Sequence, residues 1–402
     1  MDWLLRNARI KDDADLVDIA IADGAIAAIG TALPQQAAQE WDLGGRVAIP
    51  GLIDAHTHLD KTYLAAANQS GTLMEAIEVW RRVKQGRSVA EFDRAARRAL
   101  KAAIAHGVTA MRSHVDTEHR GDLVAVEALL GLREEMHDQI DLQLVALGFP
   151  GNGTEADETL ESALHLGVDL IGGAPAITPN PTATLDAAFA LAERTGKAID
   201  LHIDESEDPR TRTLATLADR TLAHGMEGQV TAGHCCSLAF MDDASAVALI
   251  EQVAAAQIHV ITLPLCNLVL MGRNMRPTPR GVTRVGELLA RGVNVCAASD
   301  NVQDPFNPFG SYDLLQIASL NAALNHMTGE SQLYDSLSMV TARPAQVLGL
   351  PDHTIRVGAP ADLVILDAER VLDAVTAPPI RLATFKHGRR IVRTEVMVSG
   401  DW

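Results

Sequence analysis

The sequence predicts an α/β fold, a (β/α)8 barrel with a small β-sandwich built from both chain termini. Two observations carry this. Eight apolar, strand-like runs alternate with Ala-rich helical segments through the middle of the chain. Short strands without helices of their own stand before and after that region. Residues 1–48 and 351–402 are therefore assigned to the sandwich, and residues 49–350 to the barrel.

The opening strands are expected at Trp3 to Ile10, Leu16 to Ala22 and Ala25 to Ile29, with an Asp23-Gly24 hairpin turn. The apolar run Val47-Ala48-Ile49 should be a strand buried on both faces, and it leads into the first barrel motif, Pro50 to Lys61. Further barrel strands are read at Gly107 to His114, Ile140 to Gly148, Asp169 to Gly173, Ala198 to His202, Val230 to His234, Ile258 to Leu263 and Val293 to Ser299. Between them, Phe92 to Ala105, Leu123 to His137, Leu185 to Arg194 and Ala244 to Ala256 place apolar residues at helical spacing. A doubly wound open sheet is the alternative, but no Gly-rich phosphate fingerprint follows the first strand. Strand character returns at Ala361 to Leu366 and at Ala383 to Val392.

Of the 402 residues, 47% are hydrophobic, enough for a large core. A formal charge of -18 argues against a nucleic-acid backbone or an anionic membrane as partner. Cys235, Cys236, Cys266 and Cys296 show no C-x-x-C spacing, and a reducing cytoplasm is expected. The start, MDWLLRNARIKDD, reaches acidic residues too soon for the apolar segment of a signal peptide.

Chemistry in a barrel sits at the C-terminal strand ends. His56 and His58 are two apart, so an extended strand projects both imidazoles to one side. Strand five delivers His202 and then Glu205, strand six His234, and strand eight Asp300. Three histidines and a carboxylate suit a divalent metal with room left for water. Each also has a plainer reading: His202 or His234 as a core histidine, Glu205 as a solvated acid beside Asp204, Glu207 and Asp208, Asp300 as a helix cap. His114 is read as a supporting residue with Arg112 and Asp116 for partners, and the adjacent Cys235 and Cys236 as small packing residues.

The motifs PGLIDAHTHLDK, HIDE (His202 to Glu205), TAGH and ASDN resemble those of the amidohydrolase superfamily. NQSGTL (Asn68 to Leu73), RSHVD (Arg112 to Asp116), PLCN and MGRNMRPTPRGVTRV resemble its cytosine deaminase-like branch, which includes cytosine, pterin and N-isopropylammelide aminohydrolases. The resemblance spans nearly the whole chain. It implies that His56, His58, His202 and Asp300 ligate one divalent ion, Zn2+, Fe2+ or Mn2+. Glu205 would shuttle protons, His234 would orient water or a polar substrate atom, and Asp300 would accept a proton. Two-metal members commonly carry a bridging lysine at strand four, where this chain has Gly172-Gly173-Ala174-Pro175. Substrate contacts are expected from Lys61, Gly151, Asn152, Asn301 and Phe306. Cytosine deaminases have glutamine near Gly151 and a second aspartate at Asn301. The small glycine would leave room for a bicyclic ring.

The expected activity is hydrolytic deamination of an amino-substituted N-heterocycle of the cytosine or aminopyrimidine kind, releasing ammonia. Alternatives are a pterin or aminopurine, an aminotriazine losing an alkylamine, a cyclic-amide hydrolase, and a non-catalytic binding protein. A small-molecule substrate and a homo-oligomer are the expected associations, in the cytoplasm. The other deaminase design, H-x-E followed by P-C-x-x-C, is not met by this sequence.

Overall fold

The computed structural model describes residues 1–34, 36–64, 68–350, 352–397 and 400. Residues 35, 351, 398, 399, 401 and 402, assigned to the sandwich from sequence, lie outside the described set.

The chain opens with β1 (Trp3–Ala8), β2 (Val17–Ala22), β3 (Ala25–Gly30) and β4 (Gln39–Asp42), which form one sheet in the order β3-β2-β1-β4. The β1–β2 and β2–β3 pairs are antiparallel, whereas β4 runs parallel to β1. Strand β4 is polar and mostly exposed, so no hydrophobic alternation marks it in the sequence.

Next comes β5 (Val47–Pro50), which carries the terminal sheet two residues past the boundary drawn at residue 48. The run that leads into the histidine motif belongs to a terminal sheet. The barrel begins at β6 (Leu52–Thr57) and continues through β7 (Val108–Asp116), β8 (Asp141–Leu147), β9 (Leu170–Gly173), β10 (Ile199–Ile203), β11 (Val230–His234), β12 (His259–Thr262) and β13 (Val295–Ala297). These eight strands are parallel and neighbour one another in chain order. A bridge between Thr57 and Asp300 links the two ends of the sheet, so the barrel closes there. Strand eight is shorter than expected, because the chain bends into Asp300 at φ +58°.

The last strands are β14 (Leu363–Leu366), β15 (Arg381–Lys386) and β16 (Arg389–Arg393). The single run read over Ala383 to Val392 is a hairpin, turning at His387 (φ +46°) and Gly388 (φ +71°). A histidine at the first turn position hid it. The sheet order is β16-β15-β14-β5, and this sheet is a middle layer. Ala48, Leu363 and Ile365 pack with Trp3, Leu5, Ile19, Ile21 and Phe385 in the sandwich core. Val47, Ile49, Val364 and Leu366 join the large core shared with the barrel and its helices. Strict alternation of apolar side chains on both faces is why β5 reads as a continuous apolar run.

Gly51 is the pivot between the two sheets. A Cβ there would lie 2.2 Å from Thr109 Oγ1, while its N–H donates to Asp362 O at 2.9 Å. Gly51→Ala is expected to destabilise the protein by about 1–3 kcal/mol through overpacking, read as a lower midpoint in urea unfolding with an unchanged slope.

Candidate active site

Strand β6 carries His56, and His58 follows one residue beyond its end. The β10 residue His202 and the β11 residue His234 arrive from neighbouring strands, and Asp300 follows β13. Closure of the barrel fixes Asp300: its N–H donates to His56 O at 2.9 Å, and Thr57 Oγ1 donates to Asp300 O at 2.8 Å. His234 and Asp300 both take left-handed backbone angles, φ +69° and +58°, an unfavourable conformation for such residues and one that clusters at functional sites.

His56, His58, His202 and Asp300 are all buried, and each offers a ligand atom within 4.8 Å of those of the other three. Asp300 Oδ1 lies 3.5 Å from His56 Nε2 and 3.3 Å from His58 Nε2, and the Nε2 atoms of His58 and His202 are 3.1 Å apart. Among the described residues, both ring nitrogens of His56 and both carboxylate oxygens of Asp300 lack a hydrogen-bond partner. Converging lone pairs without donors, on buried side chains, suit a divalent cation. A second group, His56, His114 and Asp200, is also close-packed. It already has its positive charge, since Arg112 Nη1 donates to Asp200 Oδ2 at 2.8 Å. Asp200, rather than the expected Arg112 or Asp116, faces His114, at 3.5 Å.

Electrostatics follow from burial and crowding. Burial, then the neighbouring histidines, hold His202 far below the usual imidazole range. Burial also pushes His58 down to about 4. Burial alone would raise Asp300, but His234, His56 and His58 outweigh it and hold the carboxylate ionised. Glu205 is pushed the other way, well above the usual range, by burial and by the nearby Asp300 charge. Glu205 Oε1 lies 3.5 Å from His234 Nδ1.

These groups open onto a cavity with about 820 Å³ of empty space, its mouth included. Its polar lining includes His58, His202, Glu205, His234, Lys61 and Asn301, and its apolar lining includes Trp80, Phe149 and Phe306. Lys61, Asn301 and Phe306 thus stand where the sequence expected substrate contacts. Gly151 and Asn152 do not. Both are exposed in a turn whose Gly151 N–H donates to Asp157 at 2.7 Å, and Phe149 faces the cavity instead. The extra room inferred from a small Gly151 is therefore not present at that wall. Sequence reasoning also missed Trp80, on the helix Leu73–Lys84 over the cavity, whose Nε1–H donates to Asp116 at 2.7 Å. Lys61 and Lys84 donate to the same carboxylate at 2.5 and 3.0 Å. Trp80 reads as an ordinary core aromatic of an amphipathic helix, and no spacing rule singles it out.

A model of the amidohydrolase family matches residues 39–114 and 83–400. The chain belongs to this family. A pterin deaminase of Rhizobium rhizogenes is 37% identical over 389 residues, covering 94% of this chain and 88% of that protein. An N-isopropylammelide isopropyl amidohydrolase of a Pseudomonas species is 30% identical, covering 99% of both. The crystal structure of a 5-methylcytosine deaminase from Klebsiella pneumoniae, liganded with 5-fluorocytosine, superposes with a TM-score of 0.93 at 34% identity over 99% of each chain. This amidohydrolase is accordingly a hydrolase of C–N bonds other than peptide bonds, in a metal-dependent family. Among the described residues, no helix is long and apolar enough to cross a membrane.

Arg112 is 3% exposed and Asp200 is fully buried. Arg112→Met leaves that carboxylate uncompensated beneath the histidines, and a loss of about 3–5 kcal/mol in unfolding free energy is expected in denaturant titrations of metal-stripped protein.

Proposed function

We propose that this amidohydrolase deaminates an amino-substituted N-heterocycle containing an aminopyrimidine ring, with a pterin as the first substrate to test. One observation carries the proposal. The buried carboxyl of Glu205, pushed well above its usual range by burial and by the nearby Asp300, faces the same cavity as His234, His58 and His202. Trp80, Phe149 and Phe306 supply flat apolar surface for a planar ring, and Asn301 supplies an amide for its polar edge. The 37% identity to a pterin deaminase favours the bicyclic substrate. The N-isopropylammelide relative supports a second reading, an aminotriazine that loses an alkylamine.

His56, His58, His202 and Asp300 would hold the metal, Zn2+, Fe2+ or Mn2+. Bound there, such an ion would lower the pKa of a water from 15.7 to about 7 and so would supply a nucleophile at neutral pH. Asp300, ionised beside the imidazoles, accepts the proton that the water gives up. Glu205 donates its proton to the ring nitrogen next to the amino-bearing carbon, which drains electron density from that carbon as the new C–O bond forms. His234 donates a hydrogen bond to the developing oxygen charge. The proton taken up by Asp300 then passes to the amino group, the proton left on the new hydroxyl returns to Glu205, the C–N bond breaks, and ammonia leaves with a carbonyl in its place and both carboxyl groups restored.

Glu205→Gln is expected to retain metal by elemental analysis and to lose about 10²- to 10⁴-fold in kcat for ammonia release. An unchanged kcat would remove Glu205 from the chemistry. Assays should include pterin, cytosine, isocytosine and an N-alkylated aminotriazine. A new carboxylate without free amine would reveal ring opening instead. Chelation is expected to abolish turnover and lower the melting temperature, since a ligand bound only by the native state stabilises it, and re-addition of one of the three ions should restore both.

A further inference from the structure

We infer that Asn267 is a positioning residue that fixes the tautomer of His234 and keeps Glu205 from pairing with it. This rests on the deaminase reading above. The PLCN motif, Pro264 to Asn267, opens a short helix, Pro264–Leu270, that meets the site through Asn267. Asn267 is 1% exposed, and its Nδ2 lies 3.0 Å from His234 Nδ1.

The direction of that hydrogen bond follows from counting partners. In the observed orientation, Asn267 leaves one acceptor, Oδ1, without a partner. Rotating the amide by half a turn would place Oδ1 on the imidazole and take both N–H donors off His234 Nδ1, the partner that the structure gives Nδ2. Nδ2–H therefore donates and His234 Nδ1 accepts. A neutral imidazole that accepts at Nδ1 carries its proton on Nε2. Among the described residues, His234 Nε2 is buried without a hydrogen-bond partner, on a ring that lines the cavity. Its N–H is then free for the oxygen that develops charge on the substrate.

The same contact excludes a competitor. Glu205 Oε1 is 3.5 Å from the nitrogen that Asn267 occupies. Without the amide, the carboxyl closes that gap, bonds to Nδ1 and turns away from the ring nitrogen it must reach. Asn267 itself cannot shift readily. Its N–H donates to Leu263 O at 3.0 Å and its carbonyl accepts from Met271 N at 2.9 Å.

Asn267→Asp tests this with nearly the same shape, because a carboxylate accepts but cannot donate and so demands the opposite tautomer. Expected is a fall of about 10- to 100-fold in kcat, the range for partners that orient site residues, with KM and metal content held. Asn267→Leu, which neither donates nor accepts, should show the same split while keeping a melting temperature near that of the wild type. Wild-type kcat in Asn267→Asp would overturn the inference. Should the wild type deaminate none of the heterocycles, the deaminase reading fails by itself. The tautomer remains readable from ¹⁵N-histidine spectra of the metal-free protein, with the His234 signal assigned by its loss in His234→Gln. Protonation at Nε2 in the wild type and at Nδ1 in Asn267→Asp is the expected result, and identical spectra would overturn it.

Discussion

Barrel closure between β6 and β13 is the constraint on which the site depends. Eight parallel strands enclose the ring only if the last meets the first, and the contact is made by Thr57 and Asp300 through backbone and hydroxyl hydrogen bonds. That junction sets one carboxylate against His56 and His58, which come from the far end of the sheet in sequence terms. Asp300 sits at a positive φ, so its placement costs backbone energy that the closing hydrogen bonds offset. A site that gathers imidazoles from three strands and a carboxylate from a fourth cannot form in an unclosed sheet.

How legible this was depends on the physical signal at each position. Barrel strands and their helices announced themselves through period, because strands covered on both faces are apolar throughout and helices show a 3.6-residue stripe. The cluster His56, His58, His202, Asp300 was legible because a barrel places strand ends together whatever the loops do. The boundary at residue 48 fell inside β5 since burial on both faces looks the same in a sandwich layer and in a barrel. Strand β4 was missed because an exposed edge has no apolar alternation to detect.

Loops carried the errors in the substrate-facing set. Gly151 was chosen by counting along a loop, and counting cannot say which of five residues turns inward. Two positive-φ glycines, Gly151 and Gly153, carry the chain away from the cavity there and leave Phe149 as its wall. Trp80 was illegible for a different reason. Its role comes from an indole N–H held by Asp116, a carboxylate 36 residues away that two lysines also hold. Burial would raise Asp116, but Lys61 and Lys84 beside it outweigh that and keep it ionised. The aromatic wall is therefore anchored by charge, which hydrophobic patterning does not register.

The same electrostatic reasoning accounts for Asn301, where the family resemblance suggested a second aspartate. Its Nδ2–H donates to Asp304 Oδ2 at 2.7 Å, and Asn307 Nδ2–H donates to its carbonyl at 2.8 Å. Asp304 is buried, with its carboxyl pushed up to about 7 by desolvation despite the N–H groups of Asn301, Asn307 and Phe306 around it. An aspartate at 301 would bring a like charge against Asp304 in low dielectric, one residue from Asp300, and would remove a donor that Asp304 uses. The amide thus supplies a donor that the buried acid uses. Together they shape the turn that carries Phe306 to the cavity wall, so a substitution that looks like a change of substrate contact is first a change in what the loop can hold.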